Sequence, residues 1–355
     1  MKIIQVIPAF RLAGAEVMCE NLCIALKNAG ETVIAVSLYS EKTAITDRLE
    51  KAGVRIEYLD KKPGFDASII FKLVRLFKEE KPDVVHTHIY ASKYGLIAAV
   101  LAGIAKKVHT VHNVAQKEQG NLGKKVNGFM YKHFDVVPVA LSQEVRKSIS
   151  DVYGLKEDLV PTVFNGIDLS KCITKTNYKA NKIFTILHIG RFMQVKNHEK
   201  LIRAFADFVK VYPYSKLQLL GEGELFDEMQ YLAKRLSVSD KVEFLGLQSN
   251  VYPYLHEADV FCFPSEYEGV PMTLIEAMGT GLPIIAGNVG GIPDMLVNGE
   301  SALLIESKIN EVEIALEALY SSEELRAKLG QEARKKSEDF SSASMAKGYM
   351  NIYRC

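Results

Sequence analysis

Val260-Phe261-Cys262-Phe263-Pro264-Ser265-Glu266-Tyr267-Glu268-Gly269-Val270-Pro271-Met272-Thr273-Leu274-Ile275-Glu276-Ala277-Met278-Gly279 is the stretch whose reading decides the fold. Four apolar residues read as a buried strand, the polar turn residues as a loop, and the run from Pro271 as a helix with proline in its first turn. A strand that feeds a helix through a short loop is the unit of a parallel α/β sheet. The free amides at that helix start make a positive mouth suited to phosphate. Glu268 precedes the helix and Glu276 lies inside it, so two carboxylates eight residues apart reach different parts of one elongated ligand. Carboxylates accept hydrogen bonds in pairs, which suits the vicinal hydroxyls of sugars.

The same rhythm extends in both directions. Toward the C-terminus, Pro283 to Ala286 and Leu303 to Ile305 read as strands, with Val289-Gly290-Gly291-Ile292-Pro293 as a turn presenting amides. Toward the N-terminus, Phe184 to Ile189, Leu217 to Leu220 and Val242 to Leu245 are strands separated by amphipathic helices. The first half repeats the cycle with Ile3 to Ile7, Thr32 to Ser37, Val54 to Leu59, Val84 to His86, Lys107 to Val111 and Val136 to Val139. Val160 to Phe164 is strand-like and leads to the turn former Asn165-Gly166. A chain of 355 residues exceeds the usual limit of one core. The expected organisation is a first Rossmann-like domain over 1–170, a linker over 171–182, a second Rossmann-like domain over 183–338, and a helix over 339–355 that packs back on the first domain. Two doubly wound domains of this kind face a central cleft lined by the carboxyl ends of their strands.

A second cluster follows the strand that ends at Ile189: Gly190-Arg191-Phe192-Met193-Gln194-Val195-Lys196-Asn197. Arg191 binds two oxygens at once and Lys196 acts as a point charge, a combination that matches a diphosphate and the charge developing on a departing one. Near the N-terminus, Arg11-Leu12-Ala13-Gly14-Ala15-Glu16 joins strand to helix, and Gly14 permits a ligand close to the backbone. The order is not that of a dinucleotide fingerprint. His86, His88, His109 and His112 follow two strands. His86-x-His88 lacks the further ligands of a zinc site; His112 suits a place beside a sugar, and His109 a structural one.

Composition bounds the rest. Lys plus Arg number 44 against 43 acidic residues, which excludes a global field for gripping nucleic acid. No run reaches the apolar length needed to cross a bilayer. The five cysteines are sparse and odd in number, and no signal-peptide pattern precedes the first strand, so the expected compartment is the cytoplasm. Lys117, Lys124, Lys125 and Lys132 alternate with Leu122, Val126, Phe129 and Met130, a pattern read either as the solvated face of a packed helix or as one resting on an anionic membrane.

The Glu-x7-Glu segment Glu268 to Glu276 within Pro-Ser-Glu-Tyr-Glu-Gly-Val-Pro, the following Glu-Ala-Met-Gly-Thr-Gly-Leu-Pro-Ile-Ile-Ala and Val-Gly-Gly-Ile-Pro, and Gly190-Arg191 with Lys196 together resemble the family-4 retaining glycosyltransferases of the GT-B fold. The likeness covers nearly the whole chain. It implies transfer of a hexose or N-acetylhexosamine from a nucleoside diphosphate sugar, with UDP as the carrier, to an acceptor hydroxyl in capsule, exopolysaccharide or lipopolysaccharide assembly. It further implies that Glu276 holds the ribose hydroxyls and Glu268 the donor sugar. Arg191 and Lys196 bind the diphosphate beside Gly190, Gly269 and the amides of Met272 and Thr273, while Gly14 and His112 flank the donor. No cofactor and no essential metal are expected. The acceptor is a saccharide or lipid-linked saccharide, with peripheral contact at the inner face of the plasma membrane. The pattern departs from the family at Ala13-Gly14, where a glycine pair is usual, and at Asp294, where many relatives carry Glu. A sugar-nucleotide epimerase using the same nucleotide site, and a sugar-nucleotide-binding protein without turnover, are the alternative readings.

Overall fold

The computed structural model describes residues 1–306 and 308–355 and divides into two compact units, Met1–Ile167 with Ser341–Cys355, and Asp168–Phe340. In the first unit the strands are β1 (Lys2–Ile7), β2 (Thr32–Ser37), β3 (Arg55–Tyr58), β4 (Val84–His88), β5 (Lys106–Val111) and β6 (Val136–Ala140). They form one sheet in the order β3-β2-β1-β4-β5-β6, with every pairing parallel. The second unit contains β7 (Phe184–Ile189), β8 (Ser215–Leu220), β9 (Val242–Gly246), β10 (Val260–Phe263), β11 (Ile284–Gly287) and β12 (Leu303–Ile305). Their order is β12-β11-β10-β7-β8-β9, again all parallel. In each sheet the order reverses beside the first strand, between β1 and β4 and between β7 and β10. Open α/β sheets bind ligands at the carboxyl ends of such strand pairs.

The central strands β7 and β10 are buried along their whole length because crossover helices cover both faces. β10 is apolar throughout, while β7 carries the buried Thr185 and His188 within an otherwise apolar run. β4 is richer still in polar residues: it continues through Thr87 and His88, past the expected end at His86, and all five of its residues are buried. Polar side chains survive inside a sheet only when hydrogen-bonded, and those of β4 are. Val160 to Phe164, expected as a strand, makes one bridge, between Thr162 and Ala140. Pro161 has no N–H to extend that ladder.

The helix Ser342–Arg354 packs on the helix Gly14–Asn28 within the first unit. Where the chain returns, Ser342 N–H donates to the Ile167 carbonyl at 2.7 Å. A Cβ on Gly166 would lie 2.4 Å from the Ser341 carbonyl oxygen, so this glycine is required by close approach and not by a positive φ. Residues 171–182, expected as a linker, are fastened to the second unit: Lys175 N–H donates to the Thr280 carbonyl at 2.8 Å and the Tyr178 hydroxyl to that of Gly281 at 3.0 Å. Among the described residues no helix is long and apolar enough to cross a membrane.

Candidate functional site

β7 ends at Ile189, and the next residues are locked in place by the backbone. Gly190 N–H donates to the Leu220 carbonyl at 2.9 Å and Phe192 N–H to that of Glu222 at 3.0 Å. Gly221, at φ +133°, lets the two loops touch, since a Cβ there would sit 2.1 Å from the Gly190 carbonyl oxygen. Arg191, between these anchors, is exposed; its carbonyl accepts from Met193 N–H at 2.8 Å, and its guanidinium makes no hydrogen bond or ion pair among the described residues. An unpaired guanidinium carried on an anchored turn is available to bind an anion.

Lys196 is carried to the β10 loop by its neighbour. Asn197 takes the left-handed conformation at φ +58° and donates from Nδ2 to the Pro264 carbonyl at 2.9 Å, while Glu266 N–H donates to the Val195 carbonyl at 2.8 Å. Asn is one of the few residues that tolerates this backbone. The result is an ion pair: Lys196 Nζ donates to Glu268 Oε1 at 2.6 Å and stands 4.8 Å from the centre of the Phe263 ring. Glu268 is 7% exposed. A buried carboxylate needs a partner of this kind.

The helix Met272–Thr280 begins one residue later than expected. Pro271 has ψ 125°, which is extended, and precedes the helix without a side-chain cap. Leu274 N–H is taken by the Pro271 carbonyl at 3.1 Å, which leaves the amides of Met272 and Thr273 for a ligand. Gly269 has open space where a Cβ would be, as does Gly14 at the start of its helix. Gly291, expected to present its amide, instead donates it to the Glu268 carbonyl at 3.2 Å. That bond holds the carboxylate-bearing loop, so its role is support.

Glu276, on the third position after Thr273, is partly buried, and burial raises its carboxyl to about 7; the Tyr252 hydroxyl and Lys171 oppose the shift. Tyr252 donates at 3.5 Å, a long bond, and burial beside this carboxylate raises its own hydroxyl far above the usual range. A carboxyl poised near neutrality and short of donors is suited to receive ligand hydroxyls.

In the first unit, His112 follows β5. Its backbone N–H donates to Glu118 Oε1 at 3.1 Å, and its Nε2 lies 3.0 Å from His88 Nδ1. Burial, with a further contribution from His109, lowers it to about 3, so the ring is neutral. His109 is buried in β5 against Thr87 at 3.0 Å, and its Nε2 is 3.5 Å from Glu118. Ile89, directly after His88, holds φ +52°. That is costly for a β-branched residue, and such strain gathers at functional sites. Among the described residues no group of three or more His, Cys, Asp or Glu is placed to hold a metal.

Of the residues singled out in the sequence, Gly190, Arg191, Lys196, Glu268, Gly269, Met272, Thr273 and Glu276 lie at the carboxyl ends of β7 and β10 in the second unit. Gly14 and His112 belong to the first unit, after β1 and β5. Tyr252 and Glu118 are site neighbours that sequence reasoning does not single out, whereas Asn197 closes the cluster after Ile189 and His88 stands among the clustered histidines. Asn197 carries a signal, because Asn after a short polar turn is the common left-handed residue; Tyr252, distant in sequence from Glu276, carries none.

The family model described as "Glycosyl transferases group 1" matches residues 173–336, and the one described as "Glycosyltransferase Family 4" matches residues 12–171. The chain is 30% identical over 279 residues to the UDP-Gal:alpha-D-GlcNAc-diphosphoundecaprenol alpha-1,3-galactosyltransferase of Escherichia coli, covering 72% of this chain and 70% of that protein. It is 29% identical over 311 residues to the N-acetyl-alpha-D-glucosaminyl L-malate synthase of Bacillus anthracis, covering 82% and 79%. The crystal structure of Anabaena Alr3699/HepE in complex with UDP superposes with a TM-score of 0.86 at 19% identity over 100% of both chains.

Proposed function

The chain belongs to the family-4 glycosyltransferases of the GT-B fold, and on that premise we propose that it moves a hexose or N-acetylhexosamine from a UDP-sugar to an acceptor hydroxyl with retention of anomeric configuration. The acceptor is a saccharide or lipid-linked saccharide of a bacterial surface polymer. The carrying observation is the juxtaposition of Lys196 with Glu268 at 2.6 Å beside the unpaired Arg191 and the uncapped start of the helix Met272–Thr280. Cations meet the diphosphate, and carboxylates meet hydroxyls on either side of it. Relatives named for galactosyl transfer to a lipid diphosphate, for capsule and for O-antigen assembly support the setting. The UDP bound to the fold neighbour HepE supports the uridine carrier.

In this reaction the bond from the anomeric carbon to the leaving phosphate oxygen breaks and a bond to the acceptor oxygen forms on the same face. The acceptor proton passes to the departing diphosphate. Arg191, Lys196 and the amides of Met272 and Thr273 stabilise the charge on that diphosphate as it grows. Glu268 is engaged by Lys196 and serves to orient the sugar, not as a nucleophile. This positive field substitutes for a divalent metal.

The helix Asn121–His133 exposes Leu122, Lys125, Phe129 and Lys132 on one stripe, while Met130 is buried. Leu122 is 68% and Phe129 54% exposed. This stripe supports contact with an anionic membrane, and liposome co-sedimentation at low and high salt tests it; failure to bind at low salt removes the proposal. The activity is tested by incubating the protein with UDP-sugars and a saccharide diphosphate lipid and analysing products by mass and anomeric configuration. Acceptor-dependent UDP release with an α-linked product from an α-linked donor is expected. An altered free sugar nucleotide without transfer would contradict it.

A further inference from the structure

Five polar side chains of the first unit, on β1, β4, β5 and the C-terminal helix, form one buried chain of hydrogen bonds that ends at His112. Gln5, His86, His88 and Thr110 are each 0% exposed, and the phenol of Tyr353 is buried against them. β1 pairs with β4 so that Gln5 faces His86, and β4 with β5 so that His88 faces Thr110; the alternation of side chains then puts all four on one face of the sheet. Tyr353 and Tyr349, a helical turn apart, cover that face.

With the Gln5 amide placed as it is, Nε2 toward Tyr353 and Oε1 toward His88, the direction of each bond follows from the chemistry of its ends. Gln5 Nε2 donates to the Tyr353 hydroxyl at 3.1 Å. Tyr353, having accepted, donates its one proton to His86 Nδ1 at 2.7 Å. His86 Nε2–H then donates to Thr110 Oγ1 at 2.7 Å, and Thr110 shares a 2.7 Å bond with Tyr349. On the other side Gln5 Oε1 only accepts, so His88 Nε2, 2.8 Å away, carries the proton. Burial among other histidines holds His86 and His88 neutral. His88 Nδ1 is therefore a bare acceptor, and His112 Nε2, 3.0 Å from it, is the donor. His112 Nδ1 is left unprotonated and has no partner among the described residues.

We infer that Tyr353, Gln5 and His88 are positioning residues that fix His112 in its Nε2–H tautomer, so that Nδ1 presents a lone pair to a hydroxyl of the bound sugar. The inference rests on the proposed place of His112 beside the donor. The C-terminal helix thereby controls the hydrogen-bonding sense of a site residue it does not touch. The left-handed Ile89, whose carbonyl accepts from Gln119 Nε2 at 3.3 Å, holds the strand end where His88 must stand. Removing the Tyr353 hydroxyl leaves the Gln5 amide without its acceptor. The amide is then free to turn over, offer N–H to His88, and reverse every bond as far as His112.

The test is the tautomer itself. Two-bond proton–nitrogen couplings of the full chain labelled with 15N-histidine, with the His112 signal assigned by His112→Gln, distinguish Nε2–H from Nδ1–H. The wild type should show His112 as Nε2–H. Tyr353→Phe should populate the Nδ1–H form and lower kcat about fivefold, the worth of one neutral hydrogen bond, with little change in KM for the donor. Tyr349→Phe, one turn away, should change neither. An Nδ1–H ring in the wild type overturns the inference. So do a Tyr353→Phe protein with unchanged tautomer, one with altered tautomer and unchanged kcat, or an equal change in Tyr349→Phe. The wild-type measurement does not depend on Tyr353→Phe, so a Tyr353→Phe chain that failed to fold would not protect the idea. Full activity in His112→Gln would instead refute the place given to His112 in the reaction, and would leave the tautomer result standing.

Discussion

Binding of the sugar nucleotide should strengthen as pH rises through neutrality, because Glu276 must be ionised to accept the hydroxyls proposed to lie on it. Burial raises its carboxyl from 4.5 to about 7. If only the ionised form is competent, apparent affinity scales with its fraction, which grows about tenfold between pH 6 and pH 8 for a group titrating near 7. A UDP-sugar suits the assay better than UDP, whose terminal phosphate itself titrates near neutrality. Calorimetry in buffers of different ionisation enthalpy should show about half a proton released per donor bound at pH 7. Stability carries the opposite sign. A raised carboxyl imposes no cost below its unfolded pKa of 4.5 and its whole cost above about 7, at most about 3 kcal/mol at 1.36 kcal/mol per unit. Glu276→Gln should therefore melt higher than the wild type at pH 8 and equally at pH 4, bind donor weakly, and lose the pH slope. A wild type whose donor affinity is flat from pH 6 to pH 8, or a Gln variant that keeps the slope, would refute the reasoning.

Lys196→Met leaves Glu268 buried and unpaired, which should cost about 1–3 kcal/mol in chemical denaturation together with most of the donor use; adding Glu268→Gln should restore stability and not activity. Gly166→Ala drives a methyl into the Ser341 carbonyl, 2.4 Å away, and should lower stability by about 1–3 kcal/mol in thermal melts while leaving donor affinity of the folded fraction unchanged. Exhaustive chelation should leave the transfer rate intact, measured by UDP release; a loss restored by added divalent metal would show that Arg191 and Lys196 do not suffice.

Legibility in the sequence followed the range of the interactions involved. β7, β10 and β12 could be read to the residue because largely apolar runs between turn residues are a local signal. β4 could be read only as far as His86; its continuation through Thr87 and His88 could not, since the groups that satisfy His88 come from Gln5 and His112, remote in sequence. Pro161 broke a strand that its apolar neighbours suggested. At the candidate site, the adjacency of β7 and β10 was implicit in an α/β order, but the ion pair of Lys196 with Glu268 depends on the left-handed Asn197, and the environment of Glu276 on Tyr252. Gly166 and Gly291 were legible as glycines of consequence. Their use, one for close approach and one to hold the Glu268 loop, required the folded chain.

The most direct measurement is a crystal structure of the protein with an intact UDP-sugar. The account predicts the diphosphate within hydrogen-bonding distance of Arg191, Lys196 and the amides of Met272 and Thr273, with Glu276 on the ribose and Glu268 on the sugar. A diphosphate bound away from the carboxyl ends of β7 and β10, or one held through a metal with Arg191 and Lys196 turned aside, would contradict it.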